Sequence, residues 1–369
     1  MSMSNPLKVV KNGRIKAVDF FSGAGGLTYG LRMAGINVIA GVDNDSICKE
    51  TYEKNNPGAV FLDRDVTSYS PKGMEKDLNL RRGDDNLLFA GCAPCQFWSI
   101  IRTSKKRSEK TKNLILDFQK YVEYFMPGYI LVENVPGISS SKKGGPINSF
   151  IKSIEKIGYK FNDFHVVNMS EYGIPQRRRR FTLLASRVAG VELPKPIKKR
   201  RTVRDAIGVN NGFAVVVAGH KDGTKRMHTV AGLSKKNLDR LRMTPKDGGD
   251  RSVWQSKKSH ALACFSSDDG KKKKFSDTYG RMWWDKPSPT ITTKFYSISN
   301  GRFAHPEEDR GISLREGATL QTFPKSYEFI SANTADVAKM IGNAVPPEFA
   351  RILGEQIIKS VDGNVKSNA

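Results

Sequence analysis

Two cysteines at the end of a predicted strand are the residues of this sequence best suited to chemistry. Cys92 and Cys95 lie in residues 91–99 (GCAPCQFWS), directly after the apolar run 86–90. A Cys-x-x-Cys pair is typical of thioredoxin-like redox proteins. It can also be half of a zinc site, although no second ligand pair with suitable spacing follows. Alternatively, one thiolate at a strand end can be a covalent catalyst that nearby positive charge activates.

A glutamate and a run of arginines accompany two later predicted strands. Glu133 belongs to residues 131–135 (LVENV), where burial partly desolvates a carboxyl group, favours its protonated form and lets it donate a proton. Gln176 opens the run QRRRR. Alternate residues of an extended segment share a face, so Gln176, Arg178 and Arg180 should point one way. The ordinary alternatives are a surface or helix-capping glutamate and a plain basic patch.

A glycine-rich turn and two aspartates form a candidate nucleoside pocket. Residues 19–27 (DFFSGAGGL) stand where a strand gives way to a helix, and their glycines let the backbone approach a ligand closely. Asp43 follows the second predicted strand and can hold two ribose hydroxyls, while Asp65 follows the third and can accept from an adenine amino group. Thr28 stands where a dinucleotide-binding fingerprint would have its third glycine, so the turn differs from that motif. A tight structural turn with two helix-capping aspartates is the alternative.

The elements that must position these groups alternate along the first half of the chain. Strands are predicted at 15–21, 37–42, 59–62, 86–90, 129–132, 161–167 and 180–185. Helices are predicted near 27–33, 45–55, 113–125 and 147–157, and again over 336–359 apart from a turn at 342–347. This alternation predicts an α/β fold with a doubly wound, mostly parallel sheet and helices on both faces. The pattern breaks near Arg187 and returns near Ile312.

The chain is strongly basic. Its 61 lysines and arginines against 37 aspartates and glutamates give 369 residues a formal net charge of +24, which favours a polyanionic partner, most often nucleic acid. Basic runs at 198–201 and 271–274 can contact phosphate or simply form a solvated face. Four cysteines are too few for a disulfide scaffold, and no apolar stretch approaches the roughly 18 residues that span a membrane. Since the N-terminus also lacks an apolar signal core, we expect a soluble intracellular protein.

In chain order, these segments resemble the signature motifs of the bacterial and phage DNA (cytosine-5) methyltransferases. DFFSGAGGL is similar to the family's cofactor loop, APCQ to its Pro-Cys-Gln nucleophile loop, ENV to its Glu-Asn-Val motif and QRRRR to its Gln-x-Arg-x-Arg motif. Arg315 and Glu316 with residues 320–324 (LQTFP) resemble a further family segment, and residues 342–347 (GNAVPP) resemble its final cofactor-side motif. The resemblance covers the chain except about 190–285, where the family's variable target-recognition domain would lie.

The resemblance implies two domains of an S-adenosylmethionine-dependent methyltransferase. Residues 1–187 plus 333–369 would form the catalytic, cofactor-binding domain, and residues 188–332 would form a smaller target-recognition domain with its hinge. The implied reaction transfers a methyl group to carbon 5 of a cytosine in a specific duplex DNA sequence, with the base flipped out of the stack. Cys95 would form a covalent adduct with that cytosine.

The same resemblance assigns roles to the other motif residues. Glu133 would stabilise ring nitrogen 3 of the cytosine, Arg180 would hold its exocyclic oxygen, and Arg178 would steady the nucleophile loop. The expected cofactor-binding residues are Asp19, Phe21, Gly23, Gly25, Gly26, Leu27, Asp43, Asn44, Asp65, Val66, Pro94, Asn343 and Val345. The expected DNA-binding residues are Gln96, Ser99, Arg102, Lys105, Lys106 and Gln176. The chain departs from the family at Asp43, where glutamate is commoner, and at the bulky pair Phe97 and Trp98.

The implied partners are S-adenosyl-L-methionine, with S-adenosyl-L-homocysteine as product, and double-stranded DNA, with no metal and no membrane. We expect a monomer that works in the cytoplasm, associated with the nucleoid through DNA, beside a separate cognate restriction endonuclease. Two alternatives stay open: a transfer RNA cytosine-5 methyltransferase, and a thiol-disulfide oxidoreductase that uses Cys92 and Cys95. The basic insert at 190–285 favours duplex DNA.

Separate substitution of the two cysteines distinguishes these alternatives. Cys95→Ala should abolish methylation and leave binding of S-adenosyl-L-methionine intact, whereas Cys92→Ala should keep most activity, because glycine is commoner there in the family. Duplex DNA carrying 5-fluorocytosine at the target should form a stable adduct with the wild type, since fluorine cannot be eliminated. The adduct should persist in Cys92→Ala and vanish in Cys95→Ala. Equal loss of activity in both variants, or an adduct mapped to Cys92, would contradict this assignment.

Overall fold

The computed structural model describes residues 14–94, 113–139, 145–198, 200–262, 265 and 277–367. The chain divides into two compact units. The first, here called the sheet unit, comprises Asn5–Tyr172, Arg179–Pro196 and Ala344–Ala369. The second, here called the loop unit, comprises Met1–Ser4, Gly173–Arg178 and Ile197–Asn343. These compact units are not the predicted catalytic and recognition domains, which are defined by their expected activities. The predicted domain boundaries at 187/188 and 332/333 stay a prediction.

A seven-stranded sheet with the order β3-β2-β1-β4-β5-β7-β6 forms the first unit. The strands are β1 (Lys16–Phe20), β2 (Asn37–Asp43), β3 (Val60–Asp63), β4 (Leu87–Gly91), β5 (Tyr129–Asn134), β6 (Phe161–Asn168) and β7 (Arg179–Ser186). From β3 to β5 all neighbouring strands pair in parallel, and β7 pairs antiparallel with both β5 and β6. All seven predicted strands are present, so the predicted mostly parallel α/β sheet is confirmed.

Helices alternate with these strands and continue into the loop unit. They are α1 (Gly26–Met33), α2 (Lys49–Asn55), α3 (Pro71–Leu78), α4 (Leu114–Phe125), α5 (Pro146–Lys156), α6 (Val203–Ile207), α7 (Lys235–Met243), α8 (Ser252–Gln255), α9 (Leu314–Leu320), α10 (Thr334–Asn343) and α11 (Pro347–Ser367). The sequence analysis missed α3 because Met74 is its one buried residue, which leaves little apolar periodicity. The local signal was the cap, since the Ser70 hydroxyl accepts from the Gly73 amide at 3.0 Å ahead of Pro71. Within the described ranges, no helix combines the length and the apolar character needed to cross a membrane.

An aromatic cluster fills the core of the sheet unit. The ring of Phe20 on β1 lies edge-on to the rings of Phe89, Phe118 and Tyr121, with 5.0 Å between centroids in each pair. All four side chains are buried, and edge-to-face pairs add to the free energy gained by burial alone. The cluster fixes helix α4, which supplies Phe118 and Tyr121, against the strands that carry the candidate chemistry.

The last helix completes the sheet unit by packing closely on the first. At Gly30 of α1, a β-carbon would lie 2.1 Å from the carbonyl oxygen of Pro347 and 2.5 Å from the β-carbon of Ala350. At Gly354 of α11, it would lie 2.7 Å from the β-carbon of Ala34. Any side chain at either glycine would therefore push α11 away from α1, because packed cores leave no room for such shifts.

Buried arginines organise the loop unit, whose described backbone pairing includes isolated bridges rather than a sheet. Arg281 is fully buried and donates to the carbonyl oxygens of Leu241, Thr244 and His305 at 2.8–3.1 Å. A buried carbonyl oxygen left without a donor costs about 1–3 kcal/mol, and Arg281 supplies a donor to all three. Arg302, Arg310 and Arg315 are also buried. In the loop unit, guanidinium groups thus supply the hydrogen-bond donors that the amides of neighbouring strands supply in a sheet.

Candidate active site

The candidate chemistry lies at the carboxyl ends of the parallel strands. Strand β1 stands between β2 and β4, and the direction in which successive strands are added reverses at this point. A crevice forms at such a reversal, outside the carboxyl ends of the strands, and open α/β sheets bind ligands there. The glycine-rich turn follows β1, and Pro94 follows β4. The site predicted from sequence therefore coincides with the place where this sheet topology favours a ligand.

The glycine-rich turn has an unusual backbone that Asp43 holds in place. Phe21, Gly23 and Gly25 have φ angles of 60°, 50° and 85°, a left-handed conformation that glycine adopts without strain and phenylalanine does not. The Asp43 carboxylate accepts from the Gly23 amide and from the Asp45 amide, at 2.8 Å each. Burial raises the pKa of Asp43 above its usual value, against the effect of these amides. The end of β2 is thereby tied to the turn after β1.

Asp19 lies inside the protein rather than on the surface of the crevice. It is fully buried on β1, and its Oδ2 accepts from the backbone amide and the hydroxyl of Thr28 at 3.1 and 2.7 Å. Its Oδ1 is buried without a hydrogen-bond partner among the described residues. Burial raises the pKa of Asp19 to about 7. These contacts anchor the first turn of α1. Through them, Asp19 positions the glycine-rich turn that precedes α1.

Asp65 is exposed and prearranged. Its Oδ1 accepts from the amide and hydroxyl of Thr67 at 2.9 and 2.8 Å, and its Oδ2 accepts from the side-chain amide of Asn44 at 3.3 Å. The hydrogen bonds from Thr67 hold the pKa of Asp65 below its usual range. Val66 beside it is buried, and its carbonyl oxygen accepts from the Tyr121 hydroxyl at 3.2 Å. An ionised acceptor and an apolar neighbour thus lie together after β3.

Glu133 and Arg180 form a nearly buried ion pair. Glu133 is on β5, opposite Thr182 of the antiparallel strand β7. The Arg180 Nε lies 3.2 Å from Glu133 Oε1, and the two side chains are 15% and 8% exposed. That oxygen has no well-directed hydrogen bond, so the contact is mainly electrostatic. The structure therefore brings together two residues that the sequence analysis placed on the same substrate ring by separate motifs.

Asn134 ties the end of β5 to the segment after β4, a role that the sequence analysis did not assign. Its Nδ2 donates to the Ala93 carbonyl oxygen at 3.2 Å, and its Oδ1 accepts from the Val135 amide at 2.7 Å. Pro94, the next residue, is exposed, and Cys92 is half-buried. The predicted nucleophile and most predicted DNA contacts lie outside the described residues: Cys95, Gln96, Ser99, Arg102, Lys105 and Lys106.

The QRRRR segment shows the predicted alternation of faces. Gln176 and Arg178 are buried, and Arg177 and Arg179 are exposed. In the loop unit, the Gln176 amide donates to Gln321 Oε1 at 2.8 Å. Its own Oε1 accepts from a backbone amide at 2.9 Å. Gln176 was predicted to contact DNA, but its side chain is fully buried and both ends of its amide are engaged, which leaves no exposed atom for DNA in this arrangement.

Arg178 and the final motif meet within the loop unit. Arg178 donates to the carbonyl oxygens of Ile291 and Gly342 at 3.2–3.3 Å. Its described hydrogen bonds thus hold the carboxyl-terminal part of α10, and its predicted contact with the nucleophile loop involves residues outside the described ranges. Asn343 at the end of α10 is exposed, whereas Val345 in the sheet unit is buried.

A second charged cluster holds the segment that contains the Arg315–Glu316 motif. Arg310 donates to both carboxylate oxygens of Glu316, at 2.7 and 2.9 Å. Burial alone would raise the pKa of Glu316, but the hydrogen bonds and charge of Arg310 lower it to about 2. Glu316 also accepts from the Ser313 amide at 2.7 Å, completing the capping box of α9. Sequence reasoning missed Arg310, which no motif marks, six residues before the glutamate.

Comparison with known proteins shows which sequences and folds this chain is similar to. Residues 15–359 match the sequence model of the family described as C-5 cytosine-specific DNA methylase. The chain is 36% identical over 354 residues to the Type II methylase M.HgiDII of Herpetosiphon aurantiacus, covering 94% of this chain and 96% of that protein. It is 28% identical to the Type II methyltransferase M.MthTI of Methanothermobacter thermautotrophicus, covering 94% and 97%. Its fold is similar to that of the Entamoeba histolytica methyltransferase EhMeth, with a TM-score of 0.63, 16% identity, and coverage of 94% and 98%.

The burial of Asp19 predicts a specific pH dependence of stability. Its folded-state pKa of about 7 exceeds the ordinary value of 3.8, so its contribution is fully present below about pH 4 and is lost as the pH rises through 7. Compared with Asp19→Asn, the wild type should therefore lose on the order of 4 kcal/mol of unfolding free energy between pH 4 and pH 8. Urea denaturation at a series of pH values measures this gap. Asp65→Asn, whose parent carboxyl has a lowered pKa, should give a nearly constant gap over this range, because that contribution is lost only as the pH falls below about 4. A pH-independent gap for Asp19→Asn would contradict the assignment.

Proposed function

This chain belongs to the C-5 cytosine-specific DNA methylase family, and from that premise we propose how its residues methylate DNA. It is a DNA (cytosine-5) methyltransferase, and S-adenosyl-L-methionine is the methyl donor of its family. The observation that carries the assignment of individual residues is the Glu133–Arg180 pair. It lies at the end of β5, beside the strand β4 from which the cysteine loop departs.

The chemistry requires a nucleophile because carbon 5 of cytosine is itself too weak to attack a methyl donor. Addition of the Cys95 thiolate to carbon 6 forms a carbon–sulfur bond and shifts the ring electrons toward carbon 5 and nitrogen 3. S-adenosyl-L-methionine supplies an electrophilic methyl group on a sulfonium. After methylation, removal of the proton from carbon 5 returns the electron pair to the ring and releases the thiolate. Cys95 is thus regenerated.

Glu133 and Arg180 would act on the ring during the attack. Glu133 can share a proton with nitrogen 3, where negative charge develops as the thiolate adds. Arg180, held beside it at 3.2 Å, can donate to the exocyclic oxygen. The carboxyl and guanidinium groups are almost completely removed from water, which strengthens their interaction with the developing charge. Asn134, through its bond to Ala93, would position the start of the nucleophile loop.

The methyl donor would occupy the crevice at the carboxyl ends of β1 to β3. The glycine-rich turn lets its backbone approach the ligand, and Phe21 is the half-buried aromatic residue of that turn. The Asp43 carboxylate accepts from backbone amides, and its two oxygens together have a further lone-pair position for a ribose hydroxyl. Asp65 is ionised and exposed, as an acceptor for the adenine amino group should be. Asn343 and Val345 would close the methionine side.

The loop unit and the basic segment after Ser99 would bind the DNA. A net charge of +24 suits a duplex, whose phosphates release counterions when they bind lysine and arginine. Arg102, Lys105 and Lys106 would contact the backbone, and the loop unit would read base edges from outside the catalytic residues. We propose that the protein acts as a monomer, beside a separate restriction endonuclease of matching specificity.

Sequencing of host DNA tests the function directly. DNA from a host that expresses the protein should carry 5-methylcytosine at one short sequence, and DNA from a host that expresses Cys95→Ala should not. A method that distinguishes 5-methylcytosine from cytosine base by base gives the target sequence at the same time. Unmethylated DNA together with methylated transfer RNA would replace the proposed substrate with RNA.

The proposed cofactor pocket predicts the effect of a single substitution. Asp65→Ala removes a prearranged charged acceptor and should weaken binding of S-adenosyl-L-methionine about 10-fold, as expected for a hydrogen bond to a charged group. Isothermal titration calorimetry without DNA measures this affinity. Asp63→Ala, an exposed aspartate at the end of the same strand β3, is the matched control and should bind normally. Equal affinities of the two variants would show that the adenine lies elsewhere.

A further inference from the structure

Residues 208–218 of the loop unit (GVNNGFAVVVA), here called the valine loop, expose apolar side chains to an unusual degree. Val209, Val215 and Val217 are 89%, 85% and 75% exposed. They are the most exposed large apolar side chains among the described residues, and Val60 follows at 51%. Single exposed apolar residues are common on protein surfaces, but a group of them at one place marks an interaction site.

Side chains of the loop unit form hydrogen bonds with the backbone of the valine loop. The Ala214 carbonyl oxygen lies 2.9 Å from His228 Nε2, and the Val216 amide donates to Glu308 Oε2 at 3.0 Å. Since alternate residues of an extended segment face opposite ways, this anchoring turns Val215 and Val217 outward together. A loop fixed in this way loses little conformational entropy when it binds a partner.

The anchors belong to the charged cluster inside the loop unit. Glu308 accepts from Arg310 at 2.9 and 3.0 Å, and Arg310 in turn holds Glu316. His228 Nδ1 lies 2.8 Å from the Ser313 hydroxyl, which caps helix α9. Buried ionic groups of this kind are costly to rearrange. The outward face of the valine loop is therefore a rigid surface.

Basic sequence flanks the valine loop on both sides. Residues 206–220 contain no lysine, arginine, aspartate or glutamate. Residues 198–205 (KKRRTVRD), with five basic residues and one acidic, precede this uncharged stretch, and residues 221–226 (KDGTKR), with three basic residues and one acidic, follow it. An uncharged, apolar segment between two basic segments of the sequence fits a duplex, whose phosphate backbones lie on either side of a groove that exposes thymine methyl groups. A protein partner would not require cations on both flanks.

We propose that Val215 and Val217 contact thymine methyl groups in the major groove and are specificity determinants of this enzyme, an inference that rests on the proposed methylation of duplex DNA. The thymine methyl is the apolar group that the major groove presents to side chains. Minor-groove proteins instead insert wedges of phenylalanine, leucine, isoleucine, methionine or proline between base steps, a set that does not include valine. The flanking cations, of which Arg204 pairs with Asp285 and Lys225 with Glu328 in the free protein, would bind phosphates and give affinity without sequence preference.

The double variant Val215→Ser/Val217→Ser tests the proposal on the target duplex found by host DNA sequencing. Specific binding and kcat/KM should fall roughly 10-fold, as for loss of one base contact. Binding to a duplex without the target should not change. The slope of log affinity against log salt should also stay the same, because no phosphate contact is removed. Val60→Ser, an exposed valine of the sheet unit, is the matched control and should behave as the wild type.

Replacement of thymine by uracil identifies the contact, since it removes only the methyl group. For the wild type, one or two thymines in or beside the target should be sensitive, and the double variant should lose nothing further at those positions. Unchanged specific affinity of the double variant, or the absence of any sensitive thymine, would overturn the proposal. Association of the wild type into dimers that the double variant cannot form, measured by sedimentation, would assign the valine loop to a second copy. If wild-type protein methylates no DNA at all, the proposed function fails instead.

Discussion

Hydrogen bonds from buried arginines to backbone carbonyls hold the loop unit together. A sheet satisfies its carbonyl oxygens with the amides of neighbouring strands, but the loop unit has isolated bridges where a sheet would have ladders. Arg281 instead joins segments around residues 241–244 and 305. Arg315 joins Arg226 to Tyr327, at 2.6 and 2.8 Å from their carbonyl oxygens. Lysine could not replace them, because a single ammonium lacks the planar set of five donors that spans several carbonyls.

This arrangement separates the interior of the loop unit from its surface. The guanidinium group of Arg310 pairs with the carboxylates of Glu308 and Glu316 in the interior. Glu308 also accepts from the Val216 amide and so holds the backbone of the valine loop. The outward side chains take no part in these bonds. Substitution at the surface can therefore change what the unit contacts without changing its fold, whereas loss of one partner in the cluster would leave a buried charge uncompensated.

The sequence was informative where function depends on residues close together along the chain. Apolar runs located all seven strands, and the QRRRR segment showed the expected alternation of buried and exposed side chains. Contacts between distant segments could not be predicted in this way. Nothing in the motifs indicated that Glu133 and Arg180 form an ion pair, since it arises from the antiparallel insertion of β7 next to β5. The burial of Asp19 and Gln176 likewise depends on packing by segments far away in sequence.

The close contact between α1 and α11 joins the first helix of the sheet unit to its last, which lie at opposite ends of the chain. Helix α1 carries the first turn after the glycine-rich loop, but its partner is synthesised only after the whole loop unit, a delay on the order of 10 s at ordinary ribosomal rates. Until then Gly30 faces no helix, and the apolar surface around it remains in water. A chain that lacked residues 347–367 would thus keep the seven strands of the sheet but lose α11, the helix that covers Gly30.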